Sequence, residues 1–105
     1  MNVNFTIDTT NNKEVTVSLE IDGKVFAQRQ ALDTRKAQVV LPLLETMLKK
    51  HNLTLQDLSG ITVNIGPGSF TGIRVGITIA NTLGFLLNIP VNGHKASEPV
   101  EANYF

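Results

Sequence analysis

The chain of 105 residues contains no cysteine and no tryptophan, and aromatic residues make up only 6% of it. Without thiols it can form no disulfide, no thiolate metal site and no cysteine nucleophile, a composition compatible with a reducing compartment. An excess of either charge is also missing, since nine Lys and Arg balance nine Asp and Glu. Nucleic acid contact would therefore need a local patch, and a free-standing DNA or RNA binder is disfavoured. The two histidines, His51 and His94, are far apart and sit in no HExxH or HxxxH arrangement, which argues against a zinc protease. No Ser, His and Asp set rises above background, so neither a catalytic residue nor a metal ligand is assigned. The opening MNVNFTIDTT lacks the basic flank and apolar core of a signal peptide. The longest apolar run, Leu83 to Leu87, is bracketed by Asn81, Thr82 and Asn88 and falls short of the ~20 residues of a membrane helix. No membrane association is expected, and the default location is the cytoplasm.

What is present is a globular composition, 42% apolar and 17% charged, at a length that makes one domain. Val3, Phe5 and Ile7 alternate with Asn2, Asn4 and Thr6, the period of a strand with one dry face. Val15, Val17, Leu19 and Ile21 repeat the pattern, and Asp22-Gly23 supplies a two-residue hairpin turn into a third strand at about 24–30. From Thr34 to His51 the apolar positions recur at helical spacing, with Asp33 or Thr34 as cap and Pro42 inside the first turns. His51 and the pair Lys49-Lys50 read as a charged helix end. Thr54 with Asp57 caps a single turn ending at Gly60. A fourth strand follows at Ile61 to Ile65, then the loop Gly66-Pro67-Gly68-Ser69 and a second helix from Phe70 to Leu87, closed by Asn88 and Pro90. Val91-Asn92-Gly93 reads as a short fifth strand. The tail from His94 to Phe105 has no period.

The order β-β-β-α-β-α-β predicts an α/β domain of two layers: a mixed five-stranded sheet with both helices on one face. Polar residues on every long strand leave the other sheet face wet, so the chain is expected to be complete as it stands. At about 100° per residue the second helix gathers Thr71, Arg74, Thr78, Asn81 and Thr82 into one polar arc and leaves an apolar arc of roughly 220°. The first helix has an apolar arc of about 200°, against the ~100° stripe that one packed surface needs. Gly72, Gly76, Ala80 and Gly84 form a ridge of small residues along the second helix, along which another backbone can approach closely. That ridge serves either the chain's own core or a partner. On the partner reading, a bulky residue at Gly76 or Ala80 weakens pairing and spares the fold.

Gly66 to Gly72 lies between a strand and a helix, where free N–H groups and the helix dipole favour an anion. It lacks the Gly-Lys-Ser/Thr ending of a Walker loop, and Thr71 stands where the dinucleotide fingerprint needs its third glycine. A nucleotide loop would draw on Gly66, Gly68, Ser69 and Thr71, with Asp8 holding a metal-bound water. The plainer reading is a tight turn capped by Ser69 or Thr71, with Asp8 capping a turn of its own.

At Ile7-Asp8-Thr9, Gln38 to Leu44 (QVVLPLL) and above all Gly66 to Gly76 (GPGSFTGIRVG), the chain resembles the TsaB (YeaZ) family, subunits of the bacterial machinery that makes threonylcarbamoyladenosine in tRNA. The resemblance runs from about residue 3 to Gly93 and implies the first lobe of the actin and Hsp70-like ATPase fold over residues 1–93, with 94–105 as a tail. It further implies a non-catalytic relative of TsaD, the threonylcarbamoyl transferase, that pairs with TsaD through the two helices, with the ATPase TsaE joining the pair and tRNA met only indirectly. By motif match the partner surface draws on Gln38, Val39, Leu43 and Met47 and on Gly72, Gly76, Ala80 and Gly84. Two departures stand out. The family usually continues into a second lobe, whereas this chain stops at Phe105; without an interlobe cleft it needs no cofactor of its own, and ATP with magnesium enters only at the level of the complex. Lys36-Ala37-Gln38 also stands where the family often has His-Ser-Gln. Two other functions compete: a minimal nucleotide-binding phosphotransferase-like enzyme built on Asp8 and the glycine loop, and a self-associating module that uses the same helices to form a homodimer.

Overall fold

Alternation of apolar and polar residues, two helical periods and a few residues that accept positive φ determine the architecture. The computed structural model describes residues 1–31, 37–95 and 98–102. Strand β1 (Val3–Asp8) buries Val3, Phe5 and Ile7, and β2 (Glu14–Ile21) buries Val15, Val17 and Leu19. Their antiparallel register sets Phe5 opposite Leu19 and Ile7 opposite Val17, so that both apolar sets share one face. Asp22 and Gly23 both take positive φ, +47° and +89°, as a type I′ turn requires. They join β2 to β3 (Lys24–Ala31), an edge strand exposed along nearly all its length.

Helix α1 (Ala37–Lys50) follows, and the cap expected at Asp33 or Thr34 lies outside the described residues. Pro42 stays within the helix, and its carbonyl accepts from Thr46 Oγ1 at 2.9 Å. Lys49 and Lys50 stand exposed in the last turn, as expected, and the His51 ring packs on Phe26 of β3 with centroids 4.3 Å apart. Beyond it, the Asp57 carboxylate accepts from Thr54 N at 2.7 Å and closes a 3₁₀ turn, Leu55–Asp57. Strand β4 (Gly60–Val63) then pairs parallel to β1, Ile61 beside Phe5 and Val63 beside Ile7. Helix α2 (Phe70–Leu87) starts at the Ser69 cap, whose Oγ accepts from Gly72 N at 3.3 Å, and stops at Asn88 in the left-handed region.

The sheet order is β3-β2-β1-β4, four strands rather than the five expected. Val91 reaches the edge of β4 but makes only a single parallel bridge to Ile61. Pro90 has no N–H to donate, and Asn92 and Gly93 turn the chain back at φ +50° and +78°. The Asn92 side chain takes over where a fifth strand would continue: its Oδ1 accepts from Val63 N at 2.8 Å and its Nδ2 donates to Val63 O at 3.0 Å.

Both helices lie on the apolar face, as expected, and one core joins Val40, Leu44 and Leu48 of α1 and Ile73 and Ala80 of α2 to the strand residues. The other face carries Asn4, Thr6, Thr16, Ser18, Glu20 and Thr62, half-buried or exposed. With 18 residues at a mean hydropathy of 1.4, α2 has the length and composition of a minimal membrane span, contrary to the estimate from the apolar run alone. Its buried face is occupied by the chain's own sheet, and Arg74 stands on its outer side.

The small ridge faces inward. A Cβ added at Gly76 would collide with Thr9 Oγ1, and one at Gly84 would lie 2.5 Å from Val91 Cγ2. Gly72 and Ala80 are buried on the same line. Alanine at an exposed helical glycine raises stability by about 1 kcal/mol. At position 76 we expect the opposite sign: Gly76→Ala lowers unfolding free energy by about 1–3 kcal/mol through overpacking against Thr9. Urea denaturation of the two proteins checks this, and a stabilised variant would refute the inward packing.

Candidate functional site

The end of β1, the glycine loop and the start of α2 are tied together by short hydrogen bonds. Thr9 is fully buried, and its hydroxyl donates to the carbonyl of Gly72 at 2.5 Å. Thr10 O accepts from Ser69 N at 2.7 Å. Gly68 lies flat on Thr10, where a Cβ would come within 2.6 Å of Thr10 Cβ, so only glycine allows this approach. The Asp8 carboxylate accepts from Thr10 N at 3.0 Å, from Thr10 Oγ1 at 2.7 Å and from Asn64 Nδ2 at 3.2 Å. Asn64 Oδ1 in turn accepts from Gly66 N at 3.0 Å.

Asp8, Gly66, Gly68 and Ser69 are thus assembled around one turn, and this geometry matches the plainer reading of each. Asp8 folds back on its own chain two residues on, and Ser69 is spent on capping α2. Thr71, the other cap candidate, is exposed on the outside of α2 and apart from this cluster. Among the described residues no group of three or more His, Asp or Glu is placed to hold a metal ion. Thr9 and Asn64 carry much of the arrangement; Thr9 stands in the Ile7-Asp8-Thr9 motif, where the sequence assigns it no role, and no motif marks Asn64 in the sequence.

The second candidate surface is the outside of the two helices. Six of its eight assigned residues are taken up by the fold: Leu43 and Met47 are buried in the core, as are Gly72, Gly76, Ala80 and Gly84. The reason is that the centre of each apolar arc packs on the sheet, so only the margins of the arcs remain outside. Gln38 is exposed and Val39 half-buried, and with Gln30, Pro42, Leu43 and Thr46 they line a shallow hollow of about 250 Å³.

What faces outward is a different set. Leu41 of α1 is 43% exposed, and Phe70, Phe85 and Leu86 of α2 are 58%, 71% and 71% exposed. Phe70, Thr71, Arg74, Val75, Thr78 and Ile79 line an open groove of about 350 Å³ along α2. The Arg74 guanidinium stands 5.8 Å from the centre of the Phe70 ring, placing one cation beside an apolar surface. Phe85 shares the polar arc of α2, a position that the threonines around it disguise in the sequence.

Known proteins resemble the chain in sequence and in fold. Residues 31–95 match the family model of TsaD, tRNA N6-adenosine threonylcarbamoyltransferase. The chain is 34% identical over 97 residues to the tRNA threonylcarbamoyladenosine biosynthesis protein TsaB of Bacillus subtilis, a match covering 92% of this chain and 42% of that protein. It is 34% identical over 87 residues to TsaB of Escherichia coli, covering 83% of this chain and 37% of that protein. The solved structure of YeaZ from Pseudomonas aeruginosa superposes with a TM-score of 0.80 at 28% identity, over 87% of this chain and 42% of that one. The chain thus spans about two-fifths of the length of these relatives, and it carries the one mixed sheet and two helices of an actin-like lobe. By sequence and by fold, the chain belongs to the TsaD family and, within it, to the TsaB (YeaZ) group.

Proposed function

We propose that this chain is a non-catalytic subunit that supports TsaD in forming threonylcarbamoyladenosine in tRNA. The observation that carries the reading is the outer surface of α2, where an apolar groove and the exposed Phe70, Phe85 and Leu86 lie on a helix whose other side is already filled. A helix that needed only its own core would not set three large apolar side chains among the polar residues there. In this reading TsaD covers the groove and Leu41 of α1, forming a heterodimer, and presents a carboxylate or carbonyl to Arg74. TsaE joins the pair, tRNA is met through the complex, and the assembly works in the cytoplasm.

The glycine loop serves as the joint that orients α2. Its Ser69 amide donates to Thr10 O, its Ser69 hydroxyl accepts from Gly72 N, its Gly66 amide donates to Asn64 Oδ1, and the Asp8 carboxylate is held by Thr10 and Asn64. Such a carboxylate is poorly placed to orient a metal-bound water, which weighs against a phosphotransferase. ATP and magnesium accordingly belong to the complex.

Two measurements test this. Leu41→Glu and Thr78→Arg alter exposed positions and should leave the circular dichroism and unfolding midpoint unchanged. Each should weaken TsaD binding by about tenfold or more, equivalent to ~1.4 kcal/mol. Unchanged affinity in both variants would refute this surface as the interface. Calorimetric titration of the isolated chain with magnesium ATP should give no saturable heat below millimolar concentration. A micromolar site would return the glycine loop to nucleotide binding.

A further inference from the structure

After Val91 the chain turns at Asn92–Gly93 and bridges back from His94 to Val91, and residues 98–102 lie against α2 at Asn81. Val100 N donates to Asn81 Oδ1 at 3.0 Å, and Asn81 Nδ2 donates to Val100 O at 3.0 Å. One side-chain amide therefore satisfies both peptide groups of one residue, as a neighbouring strand would, because the carboxamide of Asn or Gln sets an N–H donor beside a carbonyl acceptor as a peptide does. The Val100 side chain is 6% exposed and belongs to the main core, with Ala102 packed against it. These contacts distinguish the segment from a loose end, which would show neither burial nor long-range hydrogen bonds.

The segment lies beyond residue 95, where the match to the TsaD family model ends, whereas Asn81 lies within it. Its position bears on the α2 surface. Glu101 and Ala102 border a hollow of about 360 Å³ together with Arg74, Ile77 and Thr78. Arg74 and Thr78 also line the open groove. The segment therefore walls a hollow that shares Arg74 and Thr78 with the groove, and it brings the Glu101 carboxylate to the hollow that the only charged side chain of α2 borders.

We propose that residues 98–102 act as a strap fastened by Asn81, and that the docked strap and TsaD compete for the Arg74–Thr78 edge of α2. The competition rests on the function proposed above; the strap itself does not. A partner that covers the groove and reaches Ile77 must lift Val100 and Glu101 away. The fraction of molecules with the strap released then scales the apparent affinity.

The test uses the full chain. Exchange of the Val100 amide hydrogen, followed by NMR, should be slower by about tenfold or more than in Asn81→Ala, because a fastened amide exchanges only on opening. Thr82→Ala, one residue away and exposed, should retain the protection. A wild-type Val100 amide that exchanges as fast as the variant's overturns the strap. Asn81→Ala and Val100→Asp, which release it by separate routes, should each bind TsaD roughly 3–10-fold more tightly. Equal or weaker binding by both overturns the competition. Should neither wild type nor variants bind TsaD while Val100 stays protected, the proposed function and the competition both fall, and the strap stands.

Discussion

Thr9 follows β1 inside the protein, and its hydroxyl meets the first turn of α2 at the Gly72 carbonyl. Position 76, one helical turn further along α2, must then be glycine, because Thr9 Oγ1 fills the space where a side chain would begin. This contact brings a helix backbone against a strand end, which ordinary side chains prevent. Much of the remaining arrangement depends on it. The loop before α2 has to fold flat on Thr10 through Gly68, and the far end of the helix closes on Val91 through Gly84. A helix with three interior glycines is intrinsically weak, at about 1 kcal/mol each relative to alanine. It forms here because burial of Ile73, Ile77, Ala80 and Leu83 offsets that weakness.

Fixing α2 in this way also fixes what it shows to solvent. With Gly72, Gly76, Ala80 and Gly84 turned to the sheet, the opposite side presents Phe70, Arg74, Thr78, Phe85 and Leu86. The inner face is shaped by close approach and the outer one by an open groove, so the same helix serves the core and a partner with separate residues. The strap stands at their border, since Ile77 is buried while Arg74 and Thr78 are exposed, and all three line its hollow.

The strands and turns were legible because local chemistry decided them. Alternation in β1 and β2 matches the buried positions except at Ile21, which is half-buried at the strand end, and Asp22-Gly23 adopts the backbone its type predicts. The Ser69 cap and the Asn88 stop of α2 were legible for the same reason. The loss of the expected fifth strand was not, because Asn92 substitutes its side chain for a peptide, and nothing in Val-Asn-Gly announces that. Periodicity aligned the small residues of α2 but could not tell which neighbour they approach. The nearest atoms to Gly76 belong to Thr9, far away in the sequence, and those to Gly84 belong to Val91, just past the end of the helix. Similarly, Asn81 reads as one more residue of a polar arc until Val100 is placed beside it. The glycine loop was legible as a turn and as a family mark, and its internal bonding to Thr10 and Asn64 depends on the parallel pairing of β1 with β4.

The central claim is that the outer face of a TsaB-like lobe can engage TsaD with its own core intact. Size exclusion with light scattering on an equimolar mixture of the 11.4 kDa chain and TsaD of the same organism tests it most directly. The account predicts a single species whose mass is the sum of one copy of each. Two separate peaks at the masses of the unmixed proteins, at concentrations well above micromolar, would contradict it.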